Sequence, residues 1–193
     1  MKIRKLDYTQ FKIEKQKILS MMREWKQTEK EFSMLNYAKK HNSDLSYHWG
    51  HSVKDMIKYL EKDILETEDC SYAKNDFAFF IAEEDGIQGI ALAAGPYTYR
   101  GYSTDFFGVS GTYFEIKEIM ISASSMISRC YPIEDKMPHK EIGKELLKAI
   151  VNHASSLNKL YPILARPHYN NKTAHKFFEK HFFELDCGSM GHS

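Results

Sequence analysis

One unit constrains this chain more than any other: a strand-like run that leads, through an irregular segment, into a long amphipathic helix. Residues 113–122 (YFEIKEIMIS) alternate and are rich in β-branched and aromatic side chains, which predicts a strand. Further on, Ile142, Leu146, Leu147, Ile150, Val151, Ala154 and Leu157 fall on one stripe, which predicts a helix over residues 139–158. The first N–H groups of such a helix have no intrahelical partners. The turn holding Ile142, Gly143 and Lys144 can therefore offer backbone N–H groups to an anion.

The rest of the chain supplies a sheet and its cover. Residues 77–82 (FAFFIA) and 87–94 (IQGIALAA) read as two strands, and Asp85-Gly86 between them suits the positive φ of a hairpin turn. Residues 1–6 alternate weakly, as a first strand would. Phe11, Ile18, Met22 and Trp25 recur at helical spacing, so a helix is expected from about Thr9 to Lys26. Residues 24–52 are polar and read as broken helix and loop. Ser52, with Asp55 three residues on, resembles a capping box for a second helix faced by Val53, Met56, Ile57, Leu60 and Ile64. Residues 95–112 read as irregular, with Thr98 to Tyr102 a candidate extension of the strand before them. Residues 161–166 read as a short buried strand, Asn171 opens a last helix, and residues 182–185 read as a closing strand.

A length of 193 residues predicts a single domain over residues 1–193, with 187–193 a frayed tail. Lys+Arg number 27 against 26 Asp+Glu, and this balance gives no electrostatic case for nucleic-acid binding. Cys70, Cys130 and Cys187 are widely spaced and odd in number, which suggests neither a disulfide framework nor a zinc ribbon. The charged start does not resemble a signal peptide, and no apolar run reaches the length of a membrane span. A cytoplasmic protein without a membrane partner is expected. His48 and His51 lack an evident third ligand, so no metal is expected.

Two local patterns carry a resemblance to a known family. Asn171-Lys-Thr-Ala-His-Lys-Phe-Phe-Glu-Lys-His-Phe182 resembles the N-x-x-A-x-x-F-Y-E-K-x-G-F pattern of the GNAT superfamily of acyl-CoA-dependent N-acyltransferases, with Asn171, Ala174, Phe177, Glu179 and Lys180 in place. Ile142-Gly143-Lys-Glu-Leu-Leu147 is similar to the end of the family's Q/R-x-x-G-x-G/A-x-x-L-L motif. With the hairpin, the resemblance covers residues 77–185. It departs from the family at Pro138 and Glu141, which stand where Gln/Arg and the first glycine are usual. It departs again at Phe178, where a tyrosine is often found, and in the long link between strand and helix.

The resemblance implies an α+β fold, with a mixed, mostly antiparallel sheet flanked by helices. It implies acetyl-CoA as acyl donor, an amine as acceptor, and direct transfer through a ternary complex; a homodimer is compatible with it. The pantetheine would pair with the fourth strand near Ile119, Met120 and Ile121. The pyrophosphate would lie over the N–H groups from Glu141 through Ile142 and Gly143 to Lys144, with Lys136, His139 and Lys140 as further cations. Asn171 and Phe178 would border the cofactor chain. A strand-four glutamate would serve as base, with Glu115 favoured by placement and Glu118 second. Three residues apart, the two would face opposite sides of a regular strand.

Each assignment has a plainer alternative. Gly143 can begin an ordinary helix, either glutamate can be a surface carboxylate paired with Lys117 or another neighbour, and Asn171 can be a helix cap. The aromatic residues Tyr37, Tyr47, Trp49, Tyr97, Tyr99, Tyr102, Phe106 and Phe107 can line an acceptor pocket or cover a core. At the level of function, the alternative to an N-acetyltransferase is a non-catalytic module of the same fold that binds acyl-CoA or a protein.

Overall fold

In a computed structural model of the chain, the described residues are 1–34, 43–61, 77–98, 112–125, 141–157, 161–167, 171–181 and 183. Strand β1 (Lys2–Leu6) leads into α1 (Tyr8–Met34) and α2 (Ser43–Glu61). Strands β2 (Phe77–Glu83), β3 (Ile87–Thr98) and β4 (Thr112–Ile121) follow, then α3 (Ile142–Ser156), β5 (Ile163–Ala165) and α4 (Lys172–Lys180). The five strands form one sheet in sequence order, antiparallel from β1 to β4 and parallel between β4 and β5.

Strand alternation sorts the side chains between two helical layers. Phe79 meets Phe11 of α1 at a ring-centroid distance of 5.2 Å, so its side of the sheet belongs to α1 and α2. Phe80 and Phe114 set their rings edge-on to His153 of α3, which marks the other side. The expected helical stripes are buried: Phe11, Ile18, Met22 and Trp25 on α1, Val53, Met56, Ile57 and Leu60 on α2, and Ile142, Leu146, Leu147, Ile150 and Ala154 on α3. Leu157, expected on the α3 stripe, is instead the C-cap residue and exposed.

Several boundaries differ from the sequence reading. Helix α1 runs to Met34, because residues 27–34 contain no glycine or proline and polar helix formers do not stop a helix. Helix α2 begins at Ser43, which places Ser52 mid-helix rather than at a cap. Strand β3 continues to Thr98, past a cis Gly95–Pro96 bond. Gly95 takes φ +140° there, and an added Cβ would lie 2.9 Å from both Phe114 Cδ2 and Tyr113 O. The hairpin turn is as expected, with Asp85 and Gly86 at φ 51° and 114°. Strand β5 is half-buried rather than buried. The closing strand at 182–185, the tail at 187–193, Ile64, Tyr99, Tyr102, Phe106 and Phe107 lie outside the described residues, except that Phe183 is described and is not in a strand.

Candidate active site

The β4–β5 ladder is short. It consists of Phe114↔Ile163, Glu115↔Leu164 and Ile116↔Ala165. Strand β4 then continues to Ile121, whereas β5 stops at Ala165 and is followed by Arg166 and Pro167. Pro167 has no N–H to extend a ladder. On β4 the end of this ladder coincides with a bulge: Ala93 pairs with Ile116 and Leu92 with Glu118, leaving Lys117 as the extra residue. A bulge bends its strand and increases the local twist.

The bulge corrects the expectation that Glu115 and Glu118 face opposite sides. Glu115 pairs with Ala94 and Glu118 with Leu92, and these two β3 residues share a face. Both glutamates therefore point to the α1/α2 side. Their surroundings differ. Glu115 is buried, ion-paired with Lys117, and has Arg166 Nε 3.9 Å from its other oxygen.

Glu118 lies beneath α2, where the Ser52 hydroxyl donates a hydrogen bond to it. Loss of water around the carboxyl pushes its pKa up to about 7; Asp55 adds to the rise, and the Ser52 bond opposes it. Ser52 is the neighbour of Glu118 that a capping-box assignment does not anticipate. The signal was legible in sequence: Leu45, Trp49, Val53, Met56 and Leu60 continue one helical stripe backwards through Ser52.

At the end of β4, Met120 and Ile121 are buried and Ile119 half-buried, all in register with β3. Ser122 N donates to Gln88 O at 2.7 Å, and its hydroxyl accepts from Ser125 N at 3.2 Å, which fixes the exit of the strand.

Helix α3 begins beyond this exit. Its N-cap, Glu141, makes no side-chain capping bond; it is exposed and lies 4.0 Å from exposed Lys144. The glutamate thus has a cation beside it. Ile142 and Gly143 are buried, and a Cβ on Gly143 would meet Phe177 of α4 at 3.4 Å, an ordinary contact. Packing among the described residues therefore does not require glycine at this position. Asn171 caps α4, its Oδ1 accepting from Ala174 N at 3.0 Å. Phe178 packs against Phe177 and Phe183 at ring distances of 5.2 and 5.1 Å. Tyr37, Lys136, Pro138, His139 and Lys140 lie outside the described residues. Among the described residues no helix is long and apolar enough to cross a membrane, and no group of three His, Cys, Asp or Glu is placed to hold a metal.

This arrangement is the N-acetyltransferase fold of the GNAT type: a mixed five-stranded sheet flanked by helices. No family model and no curated protein matches the chain in sequence. Solved structures do match it in shape. The aminoglycoside antibiotic 6'-N-acetyltransferase AAC(6')-IG from Acinetobacter haemolyticus aligns with a TM-score of 0.52 at 9% identity, covering 100% of this chain and 97% of that one. An integron cassette protein from the mobile metagenome of V. cholerae gives 0.52 at 16% identity, covering 100% and 90%. The crystal structure of a probable acetyltransferase gives 0.50 at 11% identity, covering 100% and 97%. At these identities the likeness defines the fold.

Proposed function

We propose that this chain transfers an acetyl group from acetyl-CoA to the amine of a small molecule or peptide, with Glu118 as the base. The observation that carries the reading is the end of the β4–β5 ladder at Ala165, with β4 running on to Ile121 past the carboxyl of Glu118, whose pKa is raised to about 7. In this reading the pantetheine pairs along β4 near Ile119, Met120 and Ile121, and the pyrophosphate lies at the uncapped start of α3, over Glu141 to Lys144. A helix N-terminus favours an anion by roughly 0.3–1 kcal/mol when exposed and up to ~2 when partly buried.

An ammonium has no lone pair, so the acceptor must lose a proton before it attacks. A carboxyl with a pKa near 7 can hold that proton at neutral pH and still be ionised often enough to accept it. Glu118 fits this role better than Glu115, which is committed to Lys117. Attack forms the C–N bond, the C–S bond breaks, and the thiolate leaves; with a thiol pKa near ~8.5 it departs tolerably as an anion.

Saturable thermal stabilisation by acetyl-CoA, followed by thiol release with an amine panel, tests the proposal. Glu118→Gln should keep the stabilisation and lose most of the release; a wild-type chain that acetyl-CoA does not stabilise would remove the basis of the reading. One observation favours a second reading, binding without turnover: Phe178 has no proton to give the leaving thiolate and is packed between two other rings. Stabilisation by acetyl-CoA with no thiol release from any amine would select it.

A further inference from the structure

A second pair of reactive groups lies on the opposite face of the sheet. Lys5 on β1 pairs with Phe80, and its exposed side chain reaches α3, where Nζ lies 3.2 Å from His153 Nδ1 and 3.4 Å from Nε2. The imidazole is held in place by Phe80 and Phe114, whose rings stand edge-on to it at 6.1 and 5.8 Å. Two basic groups thus meet over an aromatic floor.

We propose that Lys5 and His153 form a nucleophile–base pair, and that Lys5 is a modification site which takes an acyl group from acyl thioesters. An amine acylates only through its neutral form. Loss of some solvation against α3 lowers the pKa of Lys5, opposed by the charge of Asp7; burial and the Lys5 charge lower that of His153. Both groups are thereby biased toward the uncharged state that the reaction uses.

The neutral Nζ attacks the thioester carbonyl carbon and forms the C–N bond, while the adjacent ring nitrogen takes the Nζ proton. The C–S bond then breaks, and the thiolate leaves and recovers a proton from the imidazolium. The balance is one amine and one thioester to one amide and one thiol, with no other reactant. The proposal is independent of the acetyl-transfer reading, since Glu118 and α2 lie across the sheet.

The test uses the whole chain and S-acetyl-N-acetylcysteamine, a thioester without a nucleotide, so that nucleotide binding beside β4 is not required for the result. Acetylation of each lysine is followed in time by peptide mass spectrometry. Lys5 should label at least about tenfold faster than Lys54 and Lys58, below the 10²–10⁴-fold that a well-placed base typically gives. His153→Phe keeps a ring against Phe80 and Phe114 and should bring Lys5 down to the rate of those two lysines. Acetylation should also remove the charge beside His153 and raise its pKa, seen in the imidazole proton resonances. Equal rates for the three lysines in the wild-type chain would overturn the proposal even if the variant failed to fold. An unchanged Lys5 rate in a folded His153→Phe variant would do the same.

Discussion

Glu115 and Glu118 stand three residues apart on β4 and yet share one face of the sheet, because Lys117 is the extra residue of a bulge. Their shared side leaves environment to separate them. Glu115 is buried and held by Lys117 near Arg166, whereas Glu118 is half-buried under α2, partly desolvated there, and bonded by Ser52. If the chain is an acetyltransferase, the two should respond differently to loss of charge. Glu118→Gln should lower kcat by about 10²–10⁴-fold, the usual worth of a general base. Glu115→Gln should lower it by less than about tenfold, with steady-state thiol release as the measurement. Equal losses would remove the distinction drawn from the geometry.

The raised pKa of Glu118 also predicts how the rate depends on pH. The base works when ionised, so kcat/KM should rise with pH through about 7. In Glu118→Gln that limb should vanish, and a limb that survives would belong to another group.

The same shift works on stability in the opposite sense. Between the unfolded value of 4.5 and the folded value of about 7, the native chain binds more protons at Glu118 than the unfolded one. Stability from this group is therefore present at low pH and is lost as pH rises through about 7. Glu118→Gln should accordingly stabilise the chain by up to about 3 kcal/mol at pH 8 and by little at pH 4, read by urea unfolding.

Arg4 gives a contrasting pH dependence. It joins Glu14 of α1 and Glu83 of β2, with Nη2 2.8 Å from Glu14 Oε2 and 2.9 Å from Glu83 Oε1. These hydrogen bonds hold both carboxyls below their usual range and raise the pKa of Arg4. The contribution is present above about pH 4.5 and lost as pH falls through the depressed values. Arg4→Met should cost about 2 kcal/mol at pH 7, as charged hydrogen bonds do, and progressively less as pH falls below about 4.5, read by urea unfolding across that range.

Glycine substitutions separate packing from ligand binding. A Cβ on Gly89 would lie 2.7 Å from Ile142 Cγ2 and 2.9 Å from Met120 O, so Gly89→Ala should cost about 1–3 kcal/mol by pushing the start of α3 off the sheet. Among the described residues Gly143→Ala meets Phe177 alone, at 3.4 Å, and should leave the melting temperature unchanged or slightly higher. Under the proposed function the same Gly143→Ala should weaken stabilisation by acetyl-CoA, because the added methyl crowds the first turn of α3, where the phosphates would bind. A variant that binds as well as wild type would show that this turn does not hold the nucleotide.

Periodicity alone specified the apolar stripes, the hairpin and the strand–helix unit, because each depends on neighbours three or four residues away along a helix or two along a strand. Local chemistry likewise specified the Asp85-Gly86 turn and the Asn171 cap. Only the tertiary structure decided which way the glutamates face. A bulge is set by the register between β3 and β4, and one extra residue reverses the alternation on which a sequence argument depends. It also decided the environment of Glu118. Partial desolvation of that carboxyl requires α2, more than fifty residues earlier in the chain, to lie over β4 with Ser52 turned toward it. The meeting of Lys5 with His153, 148 positions apart, arises in the same way from the packing of α3 on β1 and β2.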